Sequence, residues 1–366
     1  MVASKDQMAT DLEELKQLLE QLEDEDKPIA ISRLYTLSDL AGERLTAFLA
    51  VWEALSVTRR RRLIQALVEL AEASFEVNYD AVYRHGLGDP DELVRARAVD
   101  GLWENEDQAL IGPFLRLLRG DPSAHVRAAA ATALGRFVLA GELEELESPI
   151  ATRILTELLT LYHAGGEATE VRRRAIESAS YACIPEVTDA LEIAYYDDDE
   201  RMRVSAVFGM GRSCDRRWRP IVLKELESTS AEMRYEAARA SGELALRQAV
   251  PLLGRLIDDA DLQIQEASIW ALGQIGGPEA KRILDNAYEN ADEEMAAALD
   301  EALAEHALQE GELDLALYEL DETEEDESPD DDMVVMWKAD EDEESEAYDE
   351  DELGDDDWES GDVESA

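Results

Sequence analysis

The sequence is poor in the residues that mark disulfide frameworks, metal sites and β-folds. It has 2 cysteines and 4 histidines in 366 residues, and aromatic residues make up 6% of the chain. Two cysteines cannot staple a fold of this length, and four scattered histidines are a poor set of metal ligands. No sustained alternation of β-branched residues is present, so strands are not expected. We therefore expect an all-helical protein with no metal and no cofactor.

Long apolar runs and positive charge are also scarce. No apolar stretch approaches the roughly 18 to 20 residues that cross a bilayer, and the N-terminus is charged and amphipathic, unlike a signal sequence. A soluble, cytoplasmic protein is expected. With 34 basic and 87 acidic residues the formal net charge is −53, which repels nucleic-acid phosphates and disfavours nucleic-acid binding as an alternative function. A salt-adapted host would produce the same acidity without any partner.

Much of the acidity is gathered at the C-terminal end. Residues 311–366 contain 28 acidic side chains and one lysine, Lys338. Their apolar content is too low to build a core, so this tail is predicted to be disordered. Two apolar islands in it resemble a short docking motif, either for a partner or for the protein's own groove: Met333, Val334, Val335, Met336 and Trp337, and then Trp358.

What the chain has in abundance is alanine and leucine, arranged in a repeat. Each copy has an apolar anchor followed by small or apolar residues four, seven and eight positions later, which share one face of a helix. The anchors are Leu63, Val94, Val126, Val171, Met202, Met233, Ile264 and Met295, at intervals of 31, 32, 45, 31, 31, 31 and 31 residues. A second apolar helix precedes each anchored one. Such hairpins bury their stripes only by stacking, which predicts an α-solenoid.

Residues at fixed positions around the anchors resemble HEAT repeats. Proline stands 13 positions before the anchor, aspartate five before and arginine one after. They are Pro113, Pro220 and Pro251; Asp89, Asp121, Asp197 and Asp259; and Arg95, Arg127, Arg172, Arg203 and Arg234. The short period is similar to the HEAT-like repeats of the phycobilisome lyase type. The resemblance implies a right-handed superhelical stack of about seven to eight hairpins, and a bilin lyase-like, chromophore-handling enzyme as an alternative function.

These patterns divide the chain into four predicted segments. Residues 1–27 form an acidic helix that is weakly attached, and residues 28–60 form a helical cap. The solenoid occupies residues 61–308 and the disordered tail residues 309–366. The single 45-residue interval predicts a longer connection and a longer first helix in that repeat, with Gly165 and Gly166 at the turn.

The histidines and cysteines do not indicate catalysis. Deoxyhypusine hydroxylase, which is built on the same repeat, holds two irons with His-Glu pairs, whereas the residues that follow the histidines here are Gly86, Val126, Ala164 and Ala307. Cys183 and Cys214 each lie 12 positions after an anchor. Packed helices lie about 8 to 10 Å apart, beyond the reach of a disulfide, so both cysteines are predicted to be small buried fillers. No catalytic or metal-binding residue is expected.

The repeated charges are predicted to be structural. Aspartate and arginine should bridge the turn and join neighbouring repeats, as a ladder comprising Asp89, Arg95, Asp121, Arg127, Asp197 and Arg203. The basic runs at Arg59–Arg62 and Arg212–Pro220 are expected to be solvated, or to dock an acidic segment.

The functional prediction depends on the helix face opposite the core. Positions 2, 6 and 9 after the anchor face away from the stripe, and in HEAT-like stacks these helices line the concave surface. The candidate partner-binding residues there are Arg173, Val204, Phe208, Tyr235, Arg239 and Trp270, with Trp103 in an earlier copy. Exposed aromatics beside arginine are typical of protein-binding hot spots. We predict a non-catalytic scaffold or adaptor for a protein partner with a basic surface, and leave its oligomeric state open.

Overall fold

The described part of the chain is built from helices. The computed structural model describes residues 5–25, 27–74, 76–289 and 291–309, all within one compact unit, Met1–Asp314. No strand occurs among these residues. The predicted docking motif at Met333–Trp337 and Trp358 lies outside them. The helices are α1 (Lys5–Glu23), α2 (Ile31–Leu34), α3 (Gly42–Ala54), α4 (Val57–Ala73), α5 (Asp80–Gly86), α6 (Glu92–Asp100), α7 (Ile111–Gly120), α8 (Ala124–Glu142), α9 (Ser148–Tyr162), α10 (Thr169–Ala179), α11 (Pro185–Tyr195), α12 (Glu200–Arg212), α13 (Arg219–Glu225), α14 (Ala231–Glu243), α15 (Val250–Leu256), α16 (Leu262–Ile275), α17 (Pro278–Tyr288) and α18 (Glu293–Gln309).

The helices pair into hairpins that stack side by side. From α5 and α6 to α17 and α18, each odd-numbered helix packs on the even-numbered helix that follows it. The even-numbered, second helices also contact one another in series from α4 to α18. Each of these eight second helices carries one of the eight anchors. The predicted all-α solenoid is confirmed.

Small residues let the second helices approach closely. The anchors from Leu63 to Ile264 are at most 4% exposed, and alanines fill the stripe beside them. A Cβ on Gly242 would lie 2.6 Å from the Trp270 ring and 3.0 Å from the Cα of Ala271 on the next second helix. This glycine stands nine positions after its anchor, where the helical pattern predicted a side chain pointing away from the core. In this copy position 9 instead lies in the seam between successive second helices, whereas Trp103, at position 9 of an earlier copy, follows the end of α6 and is 55% exposed.

The first helix is held more firmly than the predicted weak attachment of residues 1–27. Leu15, Leu18 and Leu22 are at most 1% exposed, packed in the same core as the rest of the stack. Arg59 of α4 is 2% exposed, and its guanidinium donates hydrogen bonds to the carbonyl oxygens of Gln21, Leu22 and Lys27. The predicted solvation of Arg59 is therefore wrong. Its cationic donors satisfy the carbonyls of Gln21 and Leu22, which lie in the last turn of α1 and have no partner within that helix, and the carbonyl of Lys27 just beyond it.

The long interval and the cysteines also differ from expectation. The extra residues lengthen the second helix α8 to 19 residues as well as the first helix α9 to 15, and Gly165 and Gly166 lie in the turn before α10. Cys183 and Cys214 are free and exposed rather than buried. Both follow the C-terminal end of a second helix, where the chain has already left the packed stripe.

Candidate functional site: a groove along the second helices

Three adjoining cavities form one groove along the second helices. The largest, of about 880 Å³, is lined by residues from α4 to α14. It shares Phe208 and Glu236 with a small cavity of about 160 Å³, which shares Tyr235 and Arg239 with a third of about 310 Å³ that reaches α18. One cavity bordered by six successive second helices requires the stack to curve towards them. We call these three cavities together the groove.

The predicted partner-binding residues all line this groove, in two sets. Arg173, Val204 and Phe208 border the largest cavity together with Trp103, which is 55% exposed. The other set, Tyr235, Arg239 and Trp270, borders the cavity at the C-terminal end. All six are partly rather than fully exposed. Their neighbours therefore hold them in place while one side of each faces the groove.

The arginines of the groove are held by carboxylates and aromatic rings. Glu177 accepts hydrogen bonds from Arg174 at 2.6 Å and from the Ser205 hydroxyl at 2.5 Å. Arg173 donates to the same serine at 2.9 Å. Further along, the Arg239 guanidinium lies 4.2 Å from the centroid of the Trp270 ring, within cation–π range. These contacts fix the groove's shape before any ligand arrives.

Glu236 is a partly buried carboxylate of the groove that has no partner among the described residues. It lies where the largest and smallest cavities meet and makes no hydrogen bond or ion pair to the residues the structure describes. Burial, together with repulsion from the carboxylates of Glu177 and Glu243, raises the pKa of Glu236 to about 7. The guanidinium groups of Arg239 and Arg212 only partly oppose this shift. A cationic group of a ligand would stabilise the ionised form here.

The charge of the groove changes along its length. Its lining carboxylates outnumber its guanidinium groups. The carboxylates are Glu72, Asp100, Glu177, Glu236, Glu243, Glu266, Glu301 and Glu305, and the guanidinium groups are Arg136, Arg173, Arg174, Arg212 and Arg239. The C-terminal cavity has three of these carboxylates and only Arg239 against them. The groove is thus broad and apolar-walled towards α6 and acidic, with aromatic rings, towards α18.

Sequence reasoning missed several residues of the groove. Arg136, Arg212 and Glu243 stand ten positions after their anchors, and Arg174 and Glu236 stand three after. On a helical wheel positions 3 and 10 flank the buried stripe and lie next to position 6. Their recurrent charge in the sequence was the available signal. The Arg136 guanidinium stacks on the rings of Phe114 and Phe137, and its burial lowers its pKa to about 10.

The repeated aspartates and arginines join neighbouring repeats, but within one turn the arginine bonds to backbone carbonyls rather than to the aspartate side chain. Arg95 donates two hydrogen bonds to the carboxylate of Asp121 in the next repeat, at 2.7 and 2.8 Å, whereas in its own turn it donates to the backbone carbonyls of Asp89 and Pro90 and not to the Asp89 carboxylate. Although burial opposes the effect, the hydrogen bonds from Arg95 and the Ser123 amide hold the pKa of Asp121 below its usual value. The arginine side chain extends along the stack, so its carboxylate partner belongs to the neighbouring hairpin.

The other predicted ladder residues follow the same rule where the next repeat offers an acid. Arg127 pairs with Glu167 and donates to the carbonyl of Asp121, whereas Arg203 contacts only the carbonyls of Asp197 and Asp198. The carboxylate of Asp197 lies 3.7 Å from Arg172 of the preceding repeat. The ladder lies outside the groove and joins repeats.

Two other kinds of site are absent from the described residues. No group of three or more histidine, cysteine, aspartate or glutamate side chains there is placed to hold a metal ion. None of the described helices is both long enough and apolar enough to cross a membrane.

The fold and groove define an α-solenoid with an open face along its second helices. The family described as HEAT repeats matches residues 81–161 and 219–304, so the chain contains HEAT repeats, as predicted. This match does not extend to the phycobilisome lyase type, which stays a prediction. No curated protein matches the sequence.

Solved structures with a similar arrangement are distant in sequence. YibA of Escherichia coli is 16% identical, covering 65% of this chain and 95% of that one with a TM-score of 0.40. Yeast importin-beta (Kap95p) is 14% identical, covering 81% and 46%, with a TM-score of 0.46. Human deoxyhypusine hydroxylase is 17% identical, covering 82% and 97%, with a TM-score of 0.32. Such distant likenesses say nothing about activity.

Proposed function

We propose that the protein is a non-catalytic scaffold whose groove binds an elongated segment of a partner protein. The observation that carries the proposal is the continuity of the three cavities through shared lining residues, Phe208 and Glu236 at one junction and Tyr235 and Arg239 at the other. A small ligand needs one enclosed pocket, whereas an open trough along successive helices fits a polypeptide.

The lining of the groove favours a partner segment with apolar residues at one end and basic residues at the other. Phe208, Val204 and Trp103 supply apolar contacts in the broad part. Glu266 and Glu301 at the C-terminal end supply negative charge beside the Trp270 ring. Adjacent helices are about 8 to 10 Å apart and an extended chain rises about 3.3 Å per residue, so the stretch from α10 to α18 accommodates about a dozen residues.

The test is affinity capture from the native host followed by binding measurements on groove variants. A photo-crosslinking residue placed at Val204 in the full-length chain should mark the partner segment that lies in the groove. The double variant Glu266→Lys, Glu301→Lys reverses two exposed charges in the acidic end. It should weaken binding of that segment about tenfold or more, because its basic residues then meet like charge.

A matched variant separates the groove from the general acidity of the chain. Glu186→Lys, Glu192→Lys makes the same change of charge at two exposed positions of α11, outside the groove. Binding should stay within about twofold of wild type in this control. If both double variants weaken binding equally, or if the crosslinked partner binds the groove variant as it binds wild type, the groove is not the binding site.

A further inference from the structure

Three arginines without an acidic partner line one cavity at the edge of the stack. Arg216, Arg219 and Arg247 border a surface cavity of about 360 Å³ that also includes Gln248. All three are exposed, and none of their side chains makes a hydrogen bond or ion pair to another described residue. No carboxylate from the described residues lines this cavity. We call Arg216, Arg219 and Arg247 the arginine pocket.

Such a pocket is unusual for this chain, which has a formal net charge of −53. Arg217, in the same turn, is paired with Asp215 at 2.5 Å, and Arg234 on the adjoining helix is paired with Asp259 at 2.9 Å. Acidic residues thus neutralise the neighbouring arginines but leave these three. Like charges gathered without a counter-charge repel one another, so a bound anion would stabilise the arrangement.

The repeat explains why two of these arginines border the same cavity. Arg216 and Arg247 each stand 14 positions after an anchor, Met202 and Met233, in successive repeats, and each begins a short 3-10 turn. Stacking the two repeats therefore sets these arginines side by side. Other copies have no basic residue at this position: Gln108, Ala140, Pro185 and Pro278. The arginine pocket belongs to this one junction.

We propose that the arginine pocket binds a phosphate monoester, either as a free small molecule or as a phosphorylated side chain of a partner. The guanidinium fork matches two oxygens of a phosphoryl group, and its charge-assisted hydrogen bonds are about twice as strong as neutral ones. The net charge of −53 repels an extended polyanion along its whole length, whereas a compact dianion can bind against the three arginines alone. None of the pocket residues lines the groove, so this site is independent of the proposed function.

The test titrates inorganic phosphate into the full-length protein by calorimetry, at pH 7.5 and an ionic strength held constant with sodium chloride. The pocket variant is Arg216→Gln, Arg247→Gln. Its control, Arg153→Gln, Arg282→Gln, removes the same charge from two exposed arginines that also have no ion pair among the described residues. Wild type and control should bind phosphate saturably, and the pocket variant should bind about tenfold more weakly or not at all. No saturable binding by wild type, or equal weakening in both variants, overturns the proposal. Circular dichroism checks that both variants are folded.

Two further probes identify the source of the phosphate group. A phosphoserine peptide that binds more tightly than inorganic phosphate, and more tightly than its glutamate counterpart, supports a phosphorylated partner; equal binding of the peptide and free phosphate supports a small molecule. If a twelve-nucleotide single strand of DNA binds wild type more tightly than either probe, and does not bind the pocket variant, the proposal of a compact phosphate ligand is overturned and the site binds nucleic acid instead.

Discussion

The charge of Glu236 depends on groups from two neighbouring helices and from its own helix. Glu177 faces it from α10, Arg212 from α12, and Arg239 and Glu243 from its own helix α14. Burial raises its pKa to about 7, far above the value of 4.5 that it has in an unfolded chain. Between these two values the folded protein binds one more proton at this site than the unfolded chain does. The free energy of unfolding therefore falls as the pH rises from about 4.5 to 7.

Glu236→Gln should remove this contribution. An amide has no charge to bury, so the variant should be more stable than wild type by about 1 to 2 kcal/mol at pH 8 and close to wild type at pH 4.5. Urea unfolding of both proteins at these two pH values measures the difference between their free energies of unfolding. The titration of all other groups cancels in this difference. An equal difference at both pH values would show that Glu236 does not titrate in this range.

The raised pKa of Glu236 also predicts how ligand binding depends on pH. A partner's basic side chain needs the ionised form of Glu236, so a segment that binds there should release its proton below pH 7 and bind more weakly as the pH falls. Binding of the crosslinked partner segment at pH 6 and pH 8, measured for wild type and Glu236→Gln, tests this. We expect about a threefold or larger loss of affinity at pH 6 in wild type only. The same loss in the variant assigns the pH dependence to another group.

At the scale of helices, stability depends on how closely successive second helices pack. Gly242→Ala adds a methyl group 2.6 Å from the Trp270 ring and 3.0 Å from the backbone of α16. Overpacking of this kind should lower the free energy of unfolding by about 1 to 3 kcal/mol, measured by urea denaturation. Trp270 should also move, which a shift in its fluorescence emission would report.

Gly120→Ala is the matched control. Gly120 ends α7, and a Cβ there has no heavy atom within 4 Å. The change should leave stability equal or slightly higher, by up to about 1 kcal/mol, since alanine restricts the unfolded chain. Equal destabilisation in both variants would mean that helix propensity or chain entropy, rather than the seam, sets the effect at Gly242.

The sequence predicts this level of structure well, because each repeat presents the same stripe. The anchors and the small residues at positions 4, 7 and 8 recur with a fixed period, so the hairpins and their stacking follow from a single helix wheel. Contacts between repeats are harder to predict from the sequence. Whether the carboxylate partner of Arg95 is Asp89 or Asp121 depends on which way its side chain extends along the stack. The groove is harder still, since its shape arises from the curvature of the stack rather than from any one helix.

At the scale of the whole described unit, the N-terminal end of the stack is closed by α1. The sequence pattern of residues 1–27 predicts an acidic helix but not its contacts with the stack. The residue that binds the end of this helix, Arg59, lies 37 positions after Leu22 and 38 after Gln21. Arg59 donates to Leu22 and Gln21 across that separation, and to Lys27. Arg62, in the same run of four arginines, is exposed and has no ion pair among the described residues. It can therefore serve as the control for Arg59.

Arg59→Met should loosen α1 without unfolding the rest of the stack. Methionine keeps much of the apolar stem but leaves the carbonyl oxygens of Gln21 and Leu22, at the end of α1, and of Lys27, beyond it, without their cationic donor, at a cost of about 2 kcal/mol or more. Hydrogen exchange of residues 5–25 should then be at least about tenfold faster, while amides of α10 to α16 keep their protection. Arg62→Met should leave both regions as in wild type. Faster exchange throughout the stack in Arg59→Met would instead mean that α1 and the repeats unfold as one cooperative unit.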